Sequence, residues 1–508
     1  MDQIVSAALV GTARQEQRNL ATGTPVDVLI AELPRGESER AFLLSAGAWA
    51  VYRQAGQQAR QIAAAPEPAK PETRRACSPQ AALVISRLLN GEQPELLPEA
   101  LARMRERGLR LPSTVLPQAL NTSKKETRAA LFPVLGERGL WLSQFNPSWN
   151  WVRDFLPASE SDLPADAENI WQEGTNEQRV EILGRLRAAD PAQAREWLAD
   201  AWKRERAEVR ADLLATLETN LGPEDEAFLE NVLNDRALSV RTVAASLLSR
   251  LPNSAFAERM RERGSAMLKM IKGKLVVRPP VELEKDWLRD GISENAPSKL
   301  GKRAWWLIQL LALIPPTFWE AYLGASPDKL LSLVAKDQWG ITIIDGWSKA
   351  AIRYHTSSWI EPLWDWWIAH FDHIDKTTDY TIREQLLTCM PQQMAEQKVL
   401  ALLRKEQILL SELSGPWSVE FGHECLRLFR KYCTPHRIES ATFNPYSDPW
   451  FAALPHIALS LPPACFAEAA RPWNLPESAK WQVRYADQRL QEFAEMIQMR
   501  QKIYEEIV

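Results

Sequence analysis

Between residues 168 and 252 the apolar positions follow two superposed periods. Within each segment they stand three and four residues apart, which is the spacing of one helical face. Across segments they recur every 31 residues. Ile182, Leu213 and Ala244 fall in register, as do Leu183, Leu214 and Ala245, then Leu186, Leu217 and Leu248. The arginines of Gln178-Arg179, Val209-Arg210 and Val240-Arg241 keep the same interval. A second helix follows in the cycle: Trp197 matches Phe228, Leu198 matches Leu229, Ala201 matches Val232 and Trp202 matches Leu233. Pro191 and Pro223 open these second helices, where a missing N–H matters little. Helix pairs that bury their stripes only against the next pair predict an all-α fold of the α-solenoid kind. The pattern stops on the C-terminal side, where Arg259, Met260, Arg263 and Gly264 stand at the positions of the expected apolar stripe.

The same reading divides the rest of the chain. Residues 1–64 read as a helical segment, with apolar clusters at Ile4-Val5, Ala8-Leu9-Val10, Val28-Leu29-Ile30 and Ala41-Phe42-Leu43-Leu44. The proline-rich, charged run at 64–80 reads as a linker or exposed loop. A helical segment at 78–145 opens on the Ser78-Pro79 cap. Three prolines and an acidic run break the pattern over 145–166, ahead of the repeats at 168–255. Residues 256–303 then read as a basic, irregular linker, and 304–508 as a tryptophan-rich helical region closing in a long helix from Lys480 to Ile507.

Two resemblances follow from particular residues. The stretch from Asp235 through Val240-Arg241 to Ala244 resembles the first half of a HEAT repeat. The resemblance implies inter-repeat bonds from Arg210, Asp235 and Arg241, in an incomplete ladder because Arg204 and Glu173 stand at the positions equivalent to Asp235. The whole chain also resembles an uncharacterised bacterial family. Its marks are Ala7-Ala8-Leu9-Val10-Gly11-Thr12, Val277-Arg278-Pro279-Pro280, Lys285-Asp286-Trp287, Asp290-Gly291-Ile292, Gly301-Lys302 and Trp305-Trp306-Leu307. That family commonly neighbours MoxR-type AAA+ ATPases, von Willebrand A-domain proteins and SWIM zinc-finger proteins, which implies an accessory role and no known activity.

Composition narrows the classes of function. A net charge of -4 on 508 residues speaks against a chain that is basic throughout for nucleic acid, though not against a local basic patch. No apolar run approaches the ~20 residues of a membrane span. The N-terminus has no basic stretch ahead of its short apolar one, which argues against a secretory signal. Five scattered cysteines suit a reducing cytoplasm better than a disulfide framework. Of the 21 tryptophans, fourteen lie after residue 280; packing between large helices is the expected use, with partner anchoring and base stacking as alternatives.

Catalytic and metal chemistry find little support. His423, Cys425, Cys433 and His436 offer zinc donors, but on a helix running from Val419 to Tyr432 the first two cannot face one ion. His370 and His373, with Asp365, Asp372 and Asp375 nearby, lack a third strong ligand and read as a helix end complementing its dipole. Gly301-Lys302 and Gly273-Lys274 fail as phosphate loops, and no G-x-S-x-G is present. No cofactor, metal or catalytic residue is therefore expected, and any ATP dependence would come from a partner.

The segment 259–278 is the best interaction candidate, with seven cations and one acid. Its candidate residues are Arg259, Arg261, Arg263, Lys269, Lys272, Lys274 and Arg278. The expectation is a cytoplasmic, non-catalytic scaffold or adaptor for other proteins, an AAA+ ATPase assembly among them. The alternative is a HEAT-like nucleic-acid binder or DNA glycosylase-like enzyme. The mixed charge of the repeats, with Glu181, Glu196, Asp212 and Glu218 among the arginines, speaks against it.

Overall fold

The computed structural model describes residues 24–33, 38–55, 66–155, 163–164, 166–297, 300–370, 381–440, 442–478 and 480–508. The clusters at Ile4-Val5 and Ala8-Leu9-Val10, the motif from Ala7 to Thr12, and Asp372, His373 and Asp375 lie outside these residues. The protein is all-α; among the described residues one two-stranded hairpin and one isolated bridge are the exceptions. None of their helices is long and apolar enough to cross a membrane. The chain divides into two compact units, residues 1–69 and 70–508.

In the first unit α1 (Val26–Ala31) packs on α2 (Ser38–Ala55). The second unit opens on an extended stretch. The run expected as a linker is tied down over its last part: Glu72 accepts from the Glu137 and Arg138 amides, both at 3.0 Å, and the Cys77 amide donates to the Arg110 carbonyl at 2.9 Å. Ser78 then caps α3 (Pro79–Leu89) by accepting from the Ala81 amide at 3.0 Å. With α4 (Leu97–Glu106), α5 (Leu116–Leu120), α6 (Lys125–Leu131) and α7 (Gly136–Ser143), α3 encloses a core that includes Ile85, Leu101, Met104 and Leu120.

The 31-residue cycle unfolds as α8 (Ala167–Glu173), α9 (Asn176–Ala189), α10 (Pro191–Ala201), α11 (Ala207–Ala215), α12 (Glu226–Val232), α13 (Leu238–Ser249) and α14 (Ala255–Met267). A capping box between Thr175 and Gln178 starts α9. All nine matched first-helix positions, from Ile182 to Leu248, are buried. The arginines in register share a task. Arg179 reaches Glu205 at 2.6 Å, Arg210 reaches Asp235 at 2.8 Å, and Arg241 donates to the Asp235 carbonyl at 2.7 Å and the Leu288 carbonyl at 2.9 Å. Arg179 also lies over Trp171 and Arg210 over Trp202, two tryptophans one cycle apart. The ladder lacks no acid after Arg179, because Glu205, one position beyond the expected Arg204, supplies it.

The cycle also extends past its expected end. Helix α14 occupies the second-helix place of the third unit, and its Met260 and Gly264 are buried. Segment 256–303 is correspondingly not an irregular linker. It comprises most of α14, the hairpin of β1 (Leu268–Ile271) and β2 (Lys274–Val277), and α15 (Lys285–Arg289).

The tryptophan-rich region follows as α16 (Lys302–Leu311), α17 (Pro316–Leu323), α18 (Pro327–Val334), α19 (Gly340–Arg353), α20 (Ser357–His370), α21 (Thr381–Thr388) and α22 (Gln392–Leu403). It ends in α23 (Val419–Tyr432), α24 (Pro435–Ile438), α25 (Pro449–Ser460), α26 (Phe466–Ala469) and the long α27 (Trp481–Glu506). Trp319, Trp347 and Trp359 are fully buried and touch in series, with ring centroids 6.1 and 5.2 Å apart. Helix α27 serves two cores. Its residues from Val483 to Ile497 belong to the core that runs back to Trp171, whereas Met499, Ile503 and the following Ile507 close the core around α3 and α4. Arg500 fastens the junction, bonding Glu99 at 2.6 and 2.7 Å and the Leu461 carbonyl at 2.8 Å.

Candidate interaction surface

The basic segment changes character at residue 268. Upstream, Ser254 caps α14 and the helix carries Arg259, Arg261 and Arg263. Two of these stand where the repeat places apolar Phe228 and Val232, and both are held by a buried carboxylate. Asp290, 1% exposed, receives Arg263 at 2.7 Å and Arg259 at 3.1 Å, and Arg259 also pairs with Glu230 at 2.9 Å. Arg289 joins them, 3.2 Å from both Asp290 and Glu230. Burial pulls the Arg259 guanidinium down, but the Asp290 and Glu230 carboxylates outweigh it and hold the group above its ordinary value. Arg261 donates to the Pro252 carbonyl at 3.0 Å. An arginine can take a core-facing place in a repeat when the next element brings the counter-charge.

Gly291 makes that delivery possible. Its φ is +82°, and a Cβ there would lie 2.9 Å from the Arg241 carbonyl oxygen. The Asp290-Gly291-Ile292 motif thus has a physical meaning: the acid neutralises α14, the glycine lets the chain pass α13, and Ile292 is buried beside them.

Downstream the cations are free. Lys272 and Gly273 adopt φ of 51° and 75°, the two successive positive values of a tight two-residue hairpin turn. The register pairs Leu268 with Val277, Lys269 with Val276, Met270 with Leu275 and Ile271 with Lys274. Alternation then sorts the side chains. Leu268, Met270, Leu275 and Val277 pack on the core, and the opposite face carries Lys269, Ile271, Lys274 and Val276. Lys269, Lys272, Lys274 and Arg278 are exposed and make no ion pair or side-chain hydrogen bond with any described residue. Ile271 is 45% exposed among them. Of the seven candidates, the helical three are engaged in internal bonds, and the hairpin four form a cationic face on a hairpin whose other side packs on the core.

Residues 3–507 match the model of a family of unknown function. The chain belongs to that family, DUF5691. Neither a curated protein nor a solved structure matches it.

The remaining candidates separate in space. In α23 Cys425 is fully buried, while the exposed His423 pairs with Glu468. Cys433 is buried, and desolvation, reinforced by Asp448, pushes its thiol up to about 12. His436 is exposed at the rim of a 670 Å³ cavity lined also by Tyr432, Arg437 and Asp448. His370 stacks on Trp366 and bonds its carbonyl at 2.8 Å; Asp365 pairs with Lys398 at 2.6 Å. Among the described residues no three His, Cys, Asp or Glu side chains are grouped as a metal site. Of the four tryptophans between 359 and 367, Trp359, Trp364 and Trp367 are buried and Trp366 is half-buried. Trp481 is the exposed one, stacked on Tyr446.

Proposed function

We propose that the chain is a cytoplasmic, non-catalytic scaffold whose HEAT-like helix pairs hold a basic hairpin out to a protein partner with an acidic face. One observation carries this reading: four cations without internal partners on the solvent side of a hairpin whose other side is anchored in the core. Fixed, unpaired charges steer association and select a face of opposite sign, because no internal ion pair must first be broken. The resemblance to proteins encoded beside MoxR-type ATPases makes such an assembly the first partner to seek.

A native pull-down read by mass spectrometry tests it. Reversing Lys269, Lys272, Lys274 and Arg278 to glutamate is expected to reduce the recovered partner by about tenfold or more. Arg261→Glu, upstream of the hairpin, is expected to leave recovery within about twofold, the range of a rim charge. Equal recovery with the hairpin reversed would reject the hairpin as the contact. The nucleic-acid reading is tested in parallel by duplex binding at low salt: binding lost on neutralising Lys269, Lys272 and Lys274 would replace the protein partner with a phosphate backbone.

A further inference from the structure

The C-terminal end of α13 gathers more positive charge than its surroundings cancel. Ser246 and Arg250 lie one helical turn apart, on the same face of the chain as it leaves α13. From the end of α19, Arg353 donates from Nη1 to Ser246 Oγ at 2.9 Å. The adjacent Tyr354 hydroxyl lies 2.7 Å from the Leu313 carbonyl and 3.1 Å from that of Ser249. Arg261 is bonded to the Pro252 carbonyl from α14, and the charges of Arg353, Arg250 and Arg261 all favour the ionised form of the Tyr354 phenol against its burial.

Their compensation is incomplete. Glu218, 62% exposed, takes Nη1 of Arg250. Arg353 has no carboxylate within ion-pair distance among the described residues, and Arg250 Nε is buried without a hydrogen-bond partner. The ends of α13 and α19 each contribute about half a negative charge. Among the described residues Glu218 is the one carboxylate paired with either Arg250 or Arg353. Burial lowers the Arg353 guanidinium from its ordinary value; Tyr354 opposes it by less, and Arg250 adds a still smaller push downward. A desolvated cation left in this state is destabilising, and proteins relieve it with a counter-ion.

We propose that Arg250, Arg353 and the Ser246 hydroxyl form a binding site for a tetrahedral oxyanion, a phosphate group either free or carried as a monoester. The guanidinium N–H groups that Ser246 and Glu218 leave untaken, with the Ser246 hydroxyl, offer more donors than a single planar carboxylate uses, which suits the four oxygens of a tetrahedral anion. This site is separate from the hairpin and does not depend on its partner.

Isothermal titration of the full chain tests the site with two probes, inorganic phosphate and phenyl phosphate, against sodium chloride of matched ionic strength. Saturable binding of either probe is expected. Equal or tighter binding of phenyl phosphate assigns the site to phosphorylated ligands, and binding of inorganic phosphate alone assigns it to the free ion. Arg353→Met and Arg250→Gln should each weaken binding by about tenfold or more, as expected for loss of a charge-assisted hydrogen bond. Arg353→Met should also melt no lower than wild type in phosphate-free buffer, since it removes an uncompensated charge; that measurement separates loss of the ligand from loss of the fold. No saturable binding of either probe, or wild-type affinity in Arg353→Met, would overturn the proposal.

Discussion

Arg187→Met is expected to destabilise the second unit by about 3–5 kcal/mol, the range for breaking a buried ion pair from one side. Arg187 is fully buried on α9 and spends its guanidinium on the turn before α12: it bonds the Thr219 carbonyl at 2.8 Å, the Asn220 carbonyl at 3.0 Å and the carboxylate of Asp225. A further bond runs to the Pro191 carbonyl at 2.8 Å, so the same side chain also holds the start of α10. Methionine preserves much of the volume and supplies none of the donors. Three carbonyls and one face of Asp225 are left dry, because water has no room to replace a side chain with no exposed surface. Asp225 keeps Arg195 at 2.7 Å and the Gly222 amide at 3.0 Å, so its charge is not wholly abandoned. Asp225→Asn should fall in the same range, by leaving the Arg187 charge uncompensated. The double variant should cost less than the sum of the two singles. Urea denaturation followed by circular dichroism reads the three values, and additive losses would show that the two groups act independently.

The second large effect concerns the tryptophans, and here the substitution chosen decides the outcome. Trp347→Ala is expected to cost about 3–5 kcal/mol, the range for emptying a fully buried aromatic site. Trp347→Phe should cost only about 1 kcal/mol, a loss of ring volume alone. The Trp347 Nε1 group is buried without an acceptor among the described residues, so phenylalanine removes an unsatisfied donor along with the atoms it deletes. Its neighbour behaves otherwise. Trp359 donates from Nε1 to Glu320 at 2.6 Å, and Trp359→Phe strips that half-buried carboxylate of its bond. The Trp359→Phe loss should therefore exceed that of Trp347→Phe by about 1–2 kcal/mol. Thermal unfolding of the two phenylalanine variants checks the order, and the reverse order would show that ring volume rather than hydrogen bonding separates the sites.

Both residues illustrate what could be read from the chain and what could not. Local periodicity announces helices wherever a helix has one wet and one dry face. Helix α23 runs from Val419 to Tyr432 as its pattern predicts, and α27 ends within a residue or so of the expected limits. The nine matched first-helix positions of the 31-residue cycle are buried, as the interval predicts, while Trp197, Trp202 and Phe228 of the second helices are half-buried. Pairings between distant residues leave no such mark. Arg187 belongs to no register of repeated arginines, and its acid lies in a turn 38 residues later. Asp290 rescues two arginines that, by spacing alone, look like the end of the repeat. The hairpin was concealed for a different reason. Each strand has four residues, and lysine occupies a positive-φ turn position more usual for asparagine or glycine. Lysine alternating with apolar residues therefore read as basic and irregular. Within the candidate surface, the excess of positive charge was legible, but the division between engaged and free cations required the fold.

Helix α27 also has a consequence for how the protein is made. Translation delivers the segment around α3 and α4 well before part of its core, Met499, Ile503 and Ile507. At about 5–20 residues per second, roughly 20–70 s separate Val152, the last early-made member of that core, from Met499. For that interval an apolar surface near the N-terminus waits uncovered, open to chaperones and to neighbouring nascent chains. A ribosome stalled before α27 would thus expose that earlier-made core without the residues that close it.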